Sequence, residues 1–162
     1  MSKAKKERSL LPKLVQYALR DTPHEVITFP DAMRDAAEIA AHLGLPAGQL
    51  FKTLVVIRAG RGKPILVMVP AEQQLDLKKV AIAAGEKKVS MASHAEAEKL
   101  TGLQVGGISA LALLNQGFTI FLDDSALAFA AIYVSGGQRG LDVLLAVSDL
   151  VRITGAGVIT AV

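Results

Sequence analysis

Three stretches of this chain place reactive side chains or bare backbone where chemistry could use them. Lys52 lies inside Leu50-Phe51-Lys52-Thr53-Leu54-Val55-Val56-Ile57. On a strand it shares a face with Leu50, Leu54 and Val56, so its ammonium stands beside apolar surface and its desolvation has to be answered by an anion or a carbonyl. A lysine snorkelling from a strand end would look the same. Val105-Gly106-Gly107-Ile108-Ser109 pairs two glycines, and the missing Cβ atoms let backbone N–H groups approach a ligand, including the oxyanion that forms when an ester is attacked. A plain turn has the same spacing. Arg139-Gly140-Leu141-Asp142 sets a carboxylate inside an apolar run, either as one half of a salt bridge or as the partner of an amino group. That amino group is a substrate's α-ammonium or Lys52 itself.

Other chemistries lack their residues. Without cysteine there is no disulfide framework, thiolate nucleophile or cysteine-bound metal. His24, His42 and His94 form no HExxH or HxH pattern and read as surface or packing residues. Gly107-Ile108-Ser109-Ala110-Leu111 lacks the closing glycine of a nucleophile elbow. The clusters Gly136-Gly137-Gln138-Arg139-Gly140 and Gly155-Ala156-Gly157 match neither a P-loop nor a dinucleotide fingerprint.

The elements that must carry these residues can be read from periodicity. Apolar positions from Leu10 to Arg20 fit a helix that Asp21-Thr22-Pro23 ends; His24 to Phe29 fits a strand; Pro30-Asp31 opens a helical pattern that stops at Gly44. Phe51 to Arg58 and Pro64 to Val69 read as a hairpin around Gly60-Arg61-Gly62. Asp76 and Ser93 are expected to cap two helices, the first closed by Gly85 and the second running through Leu100. Gly102 to Ser109 is loop, and strands follow at Phe118 to Leu122, Ala128 to Val134 and Leu141 to Val147. The expected fold is α+β, a mixed and mostly antiparallel barrel-like sheet with surrounding helices.

Length and charge narrow the class. With 162 residues the chain suits one hydrophobic core. Its formal charge of +3 is concentrated in the first eight residues, where Lys3, Lys5, Lys6 and Arg8 face Glu7 alone; the remainder carries fourteen basic and fourteen acidic residues. The expected organisation is a disordered basic arm over 1–8 and one domain over 9–162. A neutral body argues against a protein that grips duplex DNA along its length, and any contact with nucleic acid should be small and local. The sequence has neither a signal-peptide pattern nor an apolar run long enough for a membrane span, so a cytoplasmic location is expected, without membrane contact.

Read together, these segments resemble the YbaK family of aminoacyl-tRNA deacylases, which is related to the editing domain inserted in bacterial prolyl-tRNA synthetases. The matching blocks, in order, are Leu43-Gly44-Leu45, Phe51-Lys52-Thr53-Leu54-Val55, Gln74 to Ala81, Lys87-Lys88-Val89, Thr101-Gly102, Val105-Gly106-Gly107-Ile108-Ser109, Ile132 to Gly137 and Arg139-Gly140-Leu141-Asp142. The resemblance implies hydrolysis of the ester joining an amino acid to the terminal adenosine of a tRNA, with Cys-tRNA(Pro) or another tRNA bearing a small amino acid as substrate. It implies catalytic roles for Lys52, Gly106, Gly107 and Asp142, and substrate contacts from Phe29, Thr53, Ile108 and Ser109. No metal or organic cofactor is expected, because hydrolysis in this family leans on the substrate's own thiol or ribose hydroxyl. The implied partners are the aminoacyl-tRNA acceptor end and a prolyl-tRNA synthetase. The chain departs from the family pattern at Ala110 and Ala112, at the uncharged Leu113-Leu114-Asn115-Gln116-Gly117, and at Phe29, where many members carry tyrosine. The competing reading is a non-catalytic module that binds aminoacyl-tRNA or a synthetase.

Overall fold

The computed structural model describes residues 3–33 and 35–162. In chain order its elements are helices α1 (Lys3–Arg8) and α2 (Lys13–Ala18), strand β1 (His24–Thr28), helix α3 (Ala36–Leu43), strands β2 (Phe51–Arg58) and β3 (Ile65–Pro70), helix α4 (Leu77–Ala84), strand β4 (Val89–Met91), helix α5 (His94–Thr101), strands β5 (Thr119–Asp123), β6 (Ala131–Ser135) and β7 (Leu141–Ala146), helix α6 (Val147–Thr154) and strand β8 (Gly157–Ile159).

The strands form two sheets, not one. The smaller has the order β1-β7-β6 and is antiparallel throughout; the larger runs β4-β2-β3-β5-β8 and is parallel where β5 meets β3 and β8. The sheets are bridged where Leu50 lies parallel to Tyr133, and they do not close into a barrel. The α+β, mostly antiparallel expectation therefore holds, while the barrel-like part of it describes a pair of open sheets.

Alternation along the strands divides the apolar residues among three cores. The largest joins Val26, Ile132, Val143 and Leu145 of the smaller sheet to Phe51, Val55, Leu66 and Leu122 of the larger. The reverse face of the larger sheet packs Val56, Ile65 and Val67 against Val80 and Ala81 of α4. The reverse face of the smaller sheet packs Tyr133 against Ile39 and Ala40 of α3.

The helices begin and end where local chemistry stops them. Ser93 and Glu96 form a capping box on α5, Asp76 accepts from the N–H groups of Lys78 and Lys79, and Gly44, Gly85, Gly102 and Gly155 close their helices in the left-handed conformation. Four expectations need correction. The first long helix is confined to Lys13–Ala18, because Pro12 sits at its N-cap and the residue before a proline disfavours helix. The helix expected from Pro30 starts at Ala36, where the Asp35 carboxylate accepts from Glu38 N at 3.3 Å; Arg34 lies outside the described residues. The last strand ends at Ala146 and the chain turns into α6. The arm expected to be disordered is helical over Lys3–Arg8, with a Lys3–Glu7 pair at 3.9 Å and Arg8 Nη2 donating to His24 O at 2.8 Å; Met1 and Ser2 lie outside the described residues. No helix among the described residues is long and apolar enough to cross a membrane.

Candidate active site

Strand β2 pairs with β3 along one side, but β4 covers its other side only from Val56 to Arg58. From Phe51 to Leu54 that edge has no paired strand among the described residues, and β6 meets the chain just before it, where Leu50 bridges Tyr133. A cavity of about 340 Å³ opens there, walled by the β2 edge, the start of α3, the 105–108 loop and the Asp142 side of β7.

Lys52 and Thr53 contribute the β2 wall. Lys52 is half-buried, and desolvation lowers its pKa below the ordinary lysine value; Asp35, which also lines the cavity, acts in the opposite sense. Thr53 Oγ1 is buried with no hydrogen-bond partner among the described residues, an arrangement that leaves it available to a polar group of a ligand.

The glycine loop is held from both sides. Glu98 of α5 accepts from Val105 N at 2.9 Å, and Arg139 Nε donates to Val105 O at 2.7 Å; the Arg139 and Glu98 side chains approach to 4.0 Å. Gly106 adopts φ +93 and lines the cavity with Ile108. Neither the Gly106 N–H nor the Ile108 N–H has a partner among the described residues, so both are unused donors on residues that line the cavity. Gly107 differs. Its N–H donates to Gln104 O at 2.8 Å, and a Cβ placed there would meet Gln138 and Arg139 backbone atoms at 2.9 Å. Gly107 is therefore required for close packing of two backbones, and the free donors flank it on either side. Ser109, also expected to touch substrate, is 1 % exposed and caps the turn over Ala110–Ala112 by accepting from Leu111 N at 3.1 Å. Neither Gly107 nor Ser109 lines the cavity.

Asp142 is paired across the smaller sheet with Ile27 and Ser135, and the pleat turns it away from the shared core that takes Leu141 and Val143. It is buried, lines the cavity and has no hydrogen-bond or ion-pair partner among the described residues. Burial alone raises its carboxyl to about 7. Asp35 is the acidic group that opposes the lowering of the Lys52 pKa.

Phe29, Lys52, Thr53, Gly106, Ile108 and Asp142 thus meet on one cavity although they come from separate parts of the chain. Two further titratable residues of the cavity were not assigned to the site from the sequence. Asp35 could have been found from the Asp35-x-x-Glu38 spacing of a helix start, and His94, read as a surface or packing residue, lines the cavity at the first position of α5. Such an arrangement offers open N–H donors and a half-desolvated ammonium to a developing oxyanion, and a buried carboxylate to a cationic group. Among the described residues no cluster of three His, Cys, Asp or Glu could hold a metal ion.

Comparison with known proteins gives concordant matches. The sequence model of the aminoacyl-tRNA editing domain matches residues 30–153. A protein of Enterococcus faecalis named as the Cys-tRNA(Pro)/Cys-tRNA(Cys) deacylase EbsC is 39% identical over 119 residues, 74% of this chain and 71% of the relative. A proline–tRNA ligase of Acidithiobacillus ferrooxidans is 34% identical over 76 residues, which is 47% of this chain but 13% of the ligase. Among solved structures, one described as a trans-editing enzyme for prolyl tRNA synthetase superposes with a TM-score of 0.78 at 26% identity, covering 99% of this chain and 98% of its own.

Proposed function

Since the chain belongs to the aminoacyl-tRNA editing domain family, we propose that it hydrolyses the ester of mischarged aminoacyl-tRNA in trans, with Cys-tRNA(Pro) first and other tRNAs bearing a small amino acid behind it. The observation that carries this reading is the convergence of Lys52, Gly106 and Asp142 on one cavity. At about 340 Å³ that cavity is at the small end of ligand sites, which suits a short side chain.

In the proposed arrangement, water adds to the ester carbonyl carbon and the bond to the ribose oxygen breaks, that oxygen taking up the proton. The Gly106 and Ile108 N–H groups face the developing oxyanion, and the Lys52 ammonium adds positive charge beside it. Thr53 Oγ1 hydrogen-bonds a polar group of the substrate, Phe29 packs against its apolar part, and ionised Asp142 answers the α-ammonium. The partners of this reading are the acceptor end of the tRNA and a prolyl-tRNA synthetase, and it sets the protein in the cytoplasm.

The decisive measurement is release of amino acid from a panel of mischarged tRNAs. Release from Cys-tRNA(Pro) well above the spontaneous rate is expected. A protein that binds these tRNAs and slows spontaneous loss of the amino acid is a binding module, and the hydrolase reading then fails.

A further inference from the structure

Outside the cavity, the surface carries three depressions that join end to end. The first lies between α1 and β1 and reaches Thr28, the neighbour of cavity residue Phe29. It shares Arg8 and His24 with the second, and the second shares Arg20 and Thr22 with the third, which ends against the 111–115 segment beyond the site loop. The three depressions thus share walls and form a furrow whose first part ends at Thr28, next in the chain to cavity residue Phe29.

Its lining is electropositive. Lys3, Lys5, Arg8, Arg20 and Arg152 stand along it, against Glu7, Asp21 and Glu25. Lys3, Arg20 and Arg152 each pair with a neighbouring carboxylate, Glu7 at 3.9 Å, Asp21 at 3.8 Å and Asp149 at 3.2 Å, but their side chains remain 90%, 55% and 62% exposed and can exchange these surface pairs for phosphates. This is also where the chain keeps its net charge, because the excess of the first eight residues is fixed against β1 by the bond from Arg8 to His24 O. The Arg20 guanidinium lies over the ring of Tyr17, 4.0 Å from its centroid, and Tyr17 as a whole stays 66% exposed. Cations spaced along a groove hold phosphates, and an exposed guanidinium–aromatic pair adds a surface against which a base can stack.

We propose that this furrow binds the sugar–phosphate backbone of RNA, carrying the acceptor end of a tRNA across α1 and α2 while its terminal ester lies in the cavity. The proposal rests on the aminoacyl-tRNA reading above. It also explains how a body with balanced charge holds a polyanion: the contact is local and lies beside the chemistry.

The test is the full chain carrying Lys3→Glu and Arg20→Glu, assayed for affinity toward uncharged tRNA over a range of salt and for hydrolysis of a minimal aminoacyl-adenosine ester. Affinity for tRNA should fall at least tenfold at low salt, and the slope of log affinity against log salt should become shallower by about 1.4–1.8, since each of the two phosphate contacts contributes about 0.7–0.9 to it. Hydrolysis of the minimal ester should be unchanged. A Lys3→Gln, Arg20→Gln chain should show the same pattern more weakly, and it serves if the reversals prevent folding. Unchanged tRNA affinity and slope would overturn the proposal, as would loss of prolyl-tRNA synthetase binding with tRNA affinity intact, which would make the furrow a protein-docking surface. Salt-dependent tRNA binding without turnover by the parent chain would sink the hydrolase and leave the furrow; hydrolysis of tRNA esters insensitive to both substitutions would do the reverse.

Discussion

Burial holds the Asp142 carboxyl at about 7, so near neutrality a modest change in pH alters the charge that faces the cavity. Between its ordinary value of 3.8 and about 7 the folded chain binds a proton that the unfolded chain has released. Ionising the group therefore costs stability progressively as pH rises through that window, and the full cost is present above it. Asp142→Asn should gain stability relative to its parent by up to a few kcal/mol between pH 5 and pH 8; denaturant midpoints at the two pH values measure this, and a constant difference would contradict it. The same carboxylate, if it reads the α-ammonium, makes turnover of free-amine substrates rise through pH 7, and Asp142→Asn should harm those substrates far more than N-acetylated ones. Lys52→Ala should leave the fold nearly intact and lower deacylation at least tenfold, equivalent to about 1.4 kcal/mol of transition-state stabilisation. Because no hydrogen bond or ion pair joins Lys52 to Asp142 among the described residues, the Lys52 and Asp142 effects should add to within about 0.5 kcal/mol in the double variant. Strong non-additivity would mean that Asp142 orients Lys52.

At the level of elements, the glycine loop is a strut between α5 and the turn linking β6 to β7. Gly107→Ala should lower melting temperature and turnover together, because the new Cβ collides with the 138–139 backbone; turnover lost with an unchanged melting temperature would return Gly107 to a donor role. Arg139→Lys keeps the charge but loses the rigid fork that reaches Val105 O. It should lower kcat more than it raises KM, since the loop it holds faces the reacting carbonyl. Much of this frame was legible in the chain. The β2–β3 hairpin, the Asp76 and Ser93 caps and the cavity positions of Lys52, Gly106 and Asp142 follow from alternation, cap chemistry and the family resemblance. What was not legible has physical reasons. β4 and β8 have three residues each, too few for a period to show. Helix α6, Val147-Ser148-Asp149-Leu150-Val151-Arg152-Ile153-Thr154, is rich in β-branched residues, and the burial of Val147 and Leu150 overrides that preference. The close packing of Gly107 against the 138–139 backbone joins residues some thirty positions apart, which spacing does not reveal.

For the molecule as a whole, the position of α1 separates binding from chemistry. A chain beginning at Ser9 should keep its fold and its turnover of a minimal ester while its tRNA affinity drops; loss of minimal-ester turnover in a folded chain would show that α1 supports the cavity. We propose that residues 9–162 then unfold in one transition, since the largest core takes residues from both sheets. The pairing of β1 with β7 has a consequence in time. It sets Ile27 opposite Asp142, so this wall of the cavity cannot be built before Asp142 has been made. On the ribosome a nascent chain that already carries Lys52 still lacks Asp142, and loop closure over such a separation is slow compared with hairpin formation. The β2–β3 hairpin joins neighbouring residues and needs no such closure, so the two walls of the site differ in when they can form.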